Sequence, residues 1–164
     1  MDQLNIEKRR IACVTGATAV IGKKIVSELK IKDLHIRILT RKNYQKFSGV
    51  EVFEGQLENR ILLDRFLSNA DYLFHCAGET KDPSKMAAVN IQGTKNLITA
   101  AQKNNLKYFC HISSAGVIGK SKNKIITEDS ECNPQNLYEQ TKYEAEKLAK
   151  MKIPNCSTVI LRPI

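Results

Sequence analysis

Tyr138 and Lys142 stand four residues apart in a stretch, Leu137 to Met151, whose patterning predicts a helix. Residues at that spacing share a helix face, so the ammonium can lie beside the phenol. A free phenol titrates near pH 10, and a neighbouring cation that favours phenolate lowers that value. Tyr138 would then serve as an acid or base near neutrality, and the same lysine could grip a nucleotide ribose. Ser113 and Ser114 close an apolar run, where a hydroxyl can orient a substrate alcohol or carbonyl. In a Lys-rich chain a Y-x-x-x-K pair alone carries no information. It gains meaning behind a strand-ending Ser-Ser and a phosphate-cradling turn.

Such a turn is present at Thr15-Gly16-Ala17-Thr18-Ala19-Val20-Ile21-Gly22. It joins a strand-like run to a helix-like one. Small residues let backbone N–H groups approach a pyrophosphate, and the helix N-terminus adds about half a positive charge. Gly16 would make the sharp bend and Gly22 would permit close helix–strand packing. A plain strand-to-helix turn is the bland alternative. An acidic residue about 20 positions past such glycines would bind a ribose 2′-hydroxyl. This chain has Leu39-Thr40-Arg41-Lys42 there. Arg41 can fork onto a 2′-phosphate, which leans toward NADP over NAD, or it is an exposed loop arginine.

The elements that must position these groups alternate from end to end. Strands are predicted over Ile11–Thr15, His35–Leu39, Val50–Phe53, Asp71–Cys76, Lys107–Ile112 and from Thr158 to Leu161. Between them lie helices: one through Ile25, Val26 and Leu29, and one capped by Asn59 with Ile61, Leu62, Phe66 and Leu67 inward. A long one follows Pro83, and the last carries Tyr138. This repetition implies an α/β fold, a doubly wound parallel sheet of Rossmann type covered on both faces. Residues 1–164 read as one domain. The chain stops at the carboxyl end of its last strand, where such folds gather ligands, so we expect a longer protein of which this is the N-terminal part.

Composition narrows the classes. With 42% hydrophobic and 26% charged residues the chain is globular, and no apolar run approaches a membrane span. Its charged start, Met1 to Arg10, lacks a signal peptide's apolar stretch, making a cytoplasmic protein the expectation. Cys13, Cys76, Cys110, Cys132 and Cys156 are odd in number, far apart and without C-x-x-C, arguing against disulfides and metal sites. The net charge of +9 is scattered among carboxylates, and its densest cluster, Lys120 to Lys124, has no aromatic platform. A nucleic-acid partner is therefore ranked well below a solvated basic surface.

Taken together these residues resemble the extended short-chain dehydrogenase/reductase family, the NAD-dependent epimerase/dehydratases, over almost the whole chain. Thr15 to Gly22 is similar to the family's T-G-x-x-G-x-x-G turn. His75-Cys76-Ala77-Gly78 resembles its H-x-A-G/A segment, and Val89-Asn90-Ile91-Gln92-Gly93-Thr94 its V-N-x-x-G-T. Ser113-Ser114-Ala115-Gly116-Val117-Ile118-Gly119 resembles S-S-x-x-V-Y-G. Pro134 with Tyr138 and Lys142 resembles P-x-x-x-Y-x-x-x-K, and Leu161-Arg162-Pro163 the closing L-R-P.

The resemblance implies a catalytic set of Ser114, Tyr138 and Lys142. It implies cofactor contacts from Gly16, Thr18, Val20, Ile21, Gly22, Arg41, Gln56, Leu57, Cys76, Ala77, Gly78 and Asn90, with Tyr138 and Lys142. Three positions depart from the pattern. Ala19 replaces the middle glycine and should crowd the diphosphate. Gln56 stands for an Asp at the adenine, and Ile118 for a Tyr near the substrate entrance. The implied activity is epimerase, dehydratase or reductase chemistry by Tyr-Lys-assisted hydride transfer, with NAD or NADP. The implied substrate is a small molecule, most commonly a nucleotide sugar, with sterols and flavonoid-like ketones behind. Members are about twice this long, so this stretch alone is expected to be inactive. A homodimer through the helix after Pro83 and the Tyr138 helix is also implied. The alternative is a non-catalytic NADP-binding sensor or regulatory protein.

Overall fold

The computed structural model describes residues 9–42, 48–120 and 125–164. The first eight residues of the charged start, and most of the Lys120 to Lys124 cluster, lie outside the described residues.

The apolar runs form six strands: β1 (Ile11–Thr15), β2 (His35–Thr40), β3 (Glu51–Glu54), β4 (Tyr72–His75), β5 (Tyr108–Ile112) and β6 (Ser157–Leu161). They make one sheet in the order β3-β2-β1-β4-β5-β6, and every neighbouring pair is parallel. The chain winds outward from β1 to β3, returns to the centre and winds outward again from β4 to β6. The reversal between β1 and β4 leaves a crevice at their carboxyl ends, the usual ligand position in an open parallel sheet.

The helices are α1 (Val20–Leu29), α2 (Arg60–Phe66), α3 (Pro83–Met86), α4 (Thr94–Ala101) and α5 (Leu137–Ala149). On one face Val26 of α1 packs with Val14, Ala17, Ile36 and Ile38. On the other, Leu63, Phe66, Leu97, Ala101 and Ala149 pack with Leu73 and Phe109 of the sheet. Apolar side chains on both faces explain the near-continuous hydrophobic strands.

Two helical details differ from expectation. Asn59 caps α2 as predicted, its side chain accepting the Leu62 N–H at 3.0 Å. Ile61, however, is 77% exposed, and the buried stripe is Leu63, Phe66 and Leu67. Those three sit at i, i+3 and i+4, a spacing that turns Ile61 to solvent. After Pro83 there is no uniform helix. Between α3 and α4 a π-helical stretch, Ala87–Gly93, widens the coil. Within it a Cβ on Gly93 would come within 2.9 Å of Leu57 Cβ, so only glycine lets Leu57 pack there. Wide turns of this kind collect at functional sites. No helix among the described residues is long and apolar enough to cross a membrane.

Candidate nucleotide groove and reactive cluster

Residues 16–19 carry the chain from the end of β1 into α1. Gly16 has φ +68°, a conformation L side chains rarely adopt, and a Cβ there would lie 2.5 Å from Ala77 N. The backbones at the ends of β1 and β4 therefore meet in a way only glycine allows. Gly22 is held for a different reason: its Cβ would lie 2.2 Å from Gly16 O. The first turn of α1 rests directly on the bend, as the sequence leads one to expect. Gly22→Ala must push α1 off that bend. We expect a loss of about 1–3 kcal/mol in chemical denaturation, the usual cost of overpacking; an unchanged midpoint would contradict the contact.

Over the bend lies a groove of about 530 Å³, a size that suits a small-molecule ligand. Gly16, Arg41, Gln56, Leu57, Cys76, Ala77 and Gly78, all predicted cofactor contacts, line it. Ala19 lines it too. No side chain caps Ala19 and no acid occupies the first turn of α1. The first helical amides lack intrahelical acceptors, and this helix end is thus suited to an anion such as a diphosphate.

Other predicted contacts lie off the groove wall. Val20 is 86% exposed and Ile21 is exposed beside it, while Thr18 is half-buried. Val20 and Ile21 can meet an anion through backbone N–H groups only, whereas Thr18 also carries a hydroxyl donor. Asn90 is buried, and its amide is spent on the protein: Oδ1 accepts the Glu79 N–H at 2.7 Å, and Nδ2 donates to Glu79 O and Thr141 Oγ1, both at 3.0 Å. Ile118, expected near a substrate entrance, is a buried core side chain.

Beyond the groove, Ser114, Tyr138 and Lys142 converge at the carboxyl end of β5. Ser114 Oγ accepts the Gly116 N–H at 3.1 Å and lies near the Tyr138 hydroxyl. Asn136 opens α5 by accepting the Glu139 N–H at 2.9 Å, which fixes the helix start just before Tyr138. Lys142 is only 4% exposed, and its Nζ donates to Ile112 O at 2.6 Å. Burial brings the Lys142 pKa down to about 8, while the Glu146 carboxylate and Cys76 work the other way.

One electrostatic expectation is corrected. The Tyr138 phenol is raised above its ordinary pKa, because burial outweighs the Ser114 hydrogen bond. Lys142 makes no contribution there, since its ammonium is turned toward the Ile112 carbonyl and the buried side of α5. Sharing a helix face does not by itself put two side-chain ends together.

Sequence reasoning missed the groups beneath this cluster. Glu146 continues the same face of α5 one turn below Lys142, fully buried. Arg162 clamps it with two bonds, Nε to Oε1 at 2.9 Å and Nη2 to Oε2 at 2.8 Å. The i+4 spacing that drew attention to Lys142 would have found Glu146 too. Ser113 Oγ lies near that carboxylate without a hydrogen bond of its own, and neither ring nitrogen of His111 has a partner. Glu79 and Lys85, also overlooked, stand with Arg41 on the groove wall. No short motif marks them, because their place depends on how the loop after β4 folds.

The sequence model of the NAD dependent epimerase/dehydratase family matches residues 12–164. A ketoreductase of Stigmatella aurantiaca, acting on 4-hydroxy-2-methyl-3-oxo-4-farnesyl-3,4-dihydroquinoline-1-oxide, is 27% identical over 161 residues. The match covers 92% of this chain and 48% of that protein. A short-chain dehydrogenase/reductase superfamily protein from Agrobacterium tumefaciens, solved with bound NAD, superimposes with a TM-score of 0.84 at 26% identity, covering 93% of this chain and 48% of its own. MoeE5, solved with UDP-glucose and NAD, gives a TM-score of 0.81 at 26% identity over 92% of this chain and 53% of its own. The chain thus spans about half the length of the relatives it matches.

Proposed function

The chain belongs to the NAD dependent epimerase/dehydratase family, and from that premise we propose that it binds a nicotinamide dinucleotide and takes part in oxidoreduction at a substrate hydroxyl or carbonyl. The observation that carries the reading is the gathering of the Ser114 and Tyr138 hydroxyls one helical turn from buried Lys142, whose ammonium is felt by Cys76 of the groove wall. When bound, the dinucleotide supplies the hydride acceptor or donor. The chain's residues handle the proton and the position. Tyr138 Oη takes the hydroxyl proton of an alcohol or returns it to a carbonyl oxygen. The Ser114 hydroxyl orients that oxygen. Lys142, its Nζ anchored on the Ile112 carbonyl, would help hold the nicotinamide ribose beside them. A nucleotide sugar is the substrate class proposed, in keeping with MoeE5, whose structure holds UDP-glucose.

Titration of the full-length protein with NAD, NADH, NADP and NADPH by calorimetry tests this reading. Saturable binding of at least one is expected; binding of none would sink it. The same experiment decides cofactor choice. Arg41 lines the groove at the end of β2 without an acid beside it in sequence, which favours a 2′-phosphate. Arg41→Ala should weaken NADP(H) by about tenfold and leave NAD(H) within about twofold, one exposed charge-assisted contact being worth that much. An equal loss for both dinucleotides would show that Arg41 does not discriminate.

A further inference from the structure

His75 ends β4 with no solvent exposure and both ring nitrogens engaged. Nδ1 lies 2.7 Å from Thr15 Oγ1, and Nε2 lies 2.9 Å from Thr94 Oγ1. The single Thr94 hydroxyl proton is already committed, because Oγ1 donates to Asn90 O at 2.6 Å and a carbonyl can only accept. Thr94 Oγ1 must therefore accept from the ring, so Nε2 carries the proton. Burial and the Lys142 charge keep the imidazole neutral, lowering its pKa to about 3. Nδ1 is then bare and accepts from Thr15, whose Oγ1 accepts in turn from the Ala77 N–H at 3.3 Å. Each donor and acceptor in the series has one role.

Both ends of the series reach working parts of the molecule. Thr15 and Ala77 line the groove. At the other end the Asn90 carbonyl belongs to the π-helical stretch, and the Asn90 amide reaches α5 through Thr141. Thr141 Oγ1 then donates to the Tyr138 carbonyl at 2.9 Å. The groove floor and the backbone of Tyr138 are thus joined by a series of hydrogen bonds that passes through the buried residue Asn90, entered at its backbone carbonyl and left at its side-chain amide.

We propose that His75, fixed in its Nε2–H tautomer, is a positioning residue that ties the nucleotide groove to the helix bearing Tyr138 and Lys142, with Thr94, Asn90 and Thr141 as the links. This rests on the groove being the dinucleotide site. The His75 ring would break the series if it changed tautomer. Besides the two threonines, the His111 ring faces it, with centroids 5.2 Å apart, and Lys142 supplies the nearby charge.

Nitrogen-15 NMR of the imidazole in the unaltered full-length protein is the direct test. A protonated Nε2, a bare Nδ1 and no titration across neutral pH are expected. Protonation at Nδ1, or at both nitrogens, would overturn the assignment. Calorimetry on two variants then reads the tie. Thr94→Val removes the hydroxyl and should weaken dinucleotide binding by about tenfold, whereas Thr94→Ser keeps it and should bind within about twofold of the unaltered protein. Equal binding by the Val variant, or no rescue by Ser, would reject the positioning role. If Thr94→Val does not fold, Thr141→Val cuts the series one link further on and carries the same expectation. An unaltered protein that binds no dinucleotide would sink the functional reading itself, an outcome the tautomer measurement keeps separate from the hydrogen-bond series.

Discussion

Tyr138→Phe in the full-length protein is expected to lower kcat by about 10²- to 10⁴-fold, the usual range for loss of a positioned acid or base, while dinucleotide affinity stays within about threefold. The substitution deletes one oxygen from a half-buried ring and leaves the ring packing in place. Ser114 Oγ still accepts the Gly116 N–H, so the turn after β5 keeps its anchor. Stability should change by no more than about 1 kcal/mol, the worth of one hydrogen bond. The groove over Gly16 is lined by other residues and should be untouched. Steady-state kinetics beside calorimetry separate the two effects. Turnover within tenfold of the unaltered protein would show that the phenol does not move the proton.

Lys142 gives the second large effect, and its sign is opposite to that of most lysines. Burial sets its pKa at about 8 in the folded protein, against an ordinary 10.5. Between those values the unfolded chain holds a proton that the folded chain has released, so stability rises with pH across that window. Below about pH 8 the buried ammonium exerts its full cost. Above about 10.5 the cost is gone. The shift corresponds to about 3 kcal/mol. Lys142→Met removes the charge at every pH and should be more stable than the unaltered protein at pH 7, with the advantage shrinking by about that amount as pH rises. Chemical denaturation at a series of pH values measures it; a constant difference would mean that the ammonium is not desolvated. If the positive charge at Lys142 is needed for turnover, kcat/KM should also fall through an alkaline limb near pH 8, since that ratio reports ionisation of the free protein.

The buried carboxylate Glu146 shows why the lysine is tolerated in its charged form. Glu146 lies one turn below on α5, and Arg162 after β6 satisfies both its oxygens. An ammonium, a carboxylate and a guanidinium therefore share one desolvated region, and removing Glu146 or Arg162 leaves a buried charge uncompensated. Lys142→Met leaves no such orphan, because Arg162 still pairs with Glu146.

Much of this molecule was legible in its residues. The alternation of apolar runs and periodic stretches located six strands and the main helices, and their parallel order follows from right-handed crossovers. Gly16 and Gly22 were readable because a bend and a close approach leave few residue types to choose from. The capping of α2 by Asn59 and the i+4 relation of Tyr138 to Lys142 were readable too, since both are local rules. Other features stayed hidden. The wide turn at Ala87–Gly93 has the composition of an ordinary helix, and no periodicity distinguishes the two over seven residues.

What the sequence determined by itself was the list of reactive groups, the sheet that carries them and the bend that suits a phosphate, because each depends on neighbours along the chain. Tertiary structure alone decided where the ends of the side chains point. It sent Ile61 to solvent and buried Ile118. It turned the Lys142 ammonium to the Ile112 carbonyl rather than the phenol, and it closed the His75 series across five separate elements. Burial and hydrogen-bond direction are properties of the packed assembly, set by whichever distant residue arrives alongside, and no spacing rule contains them.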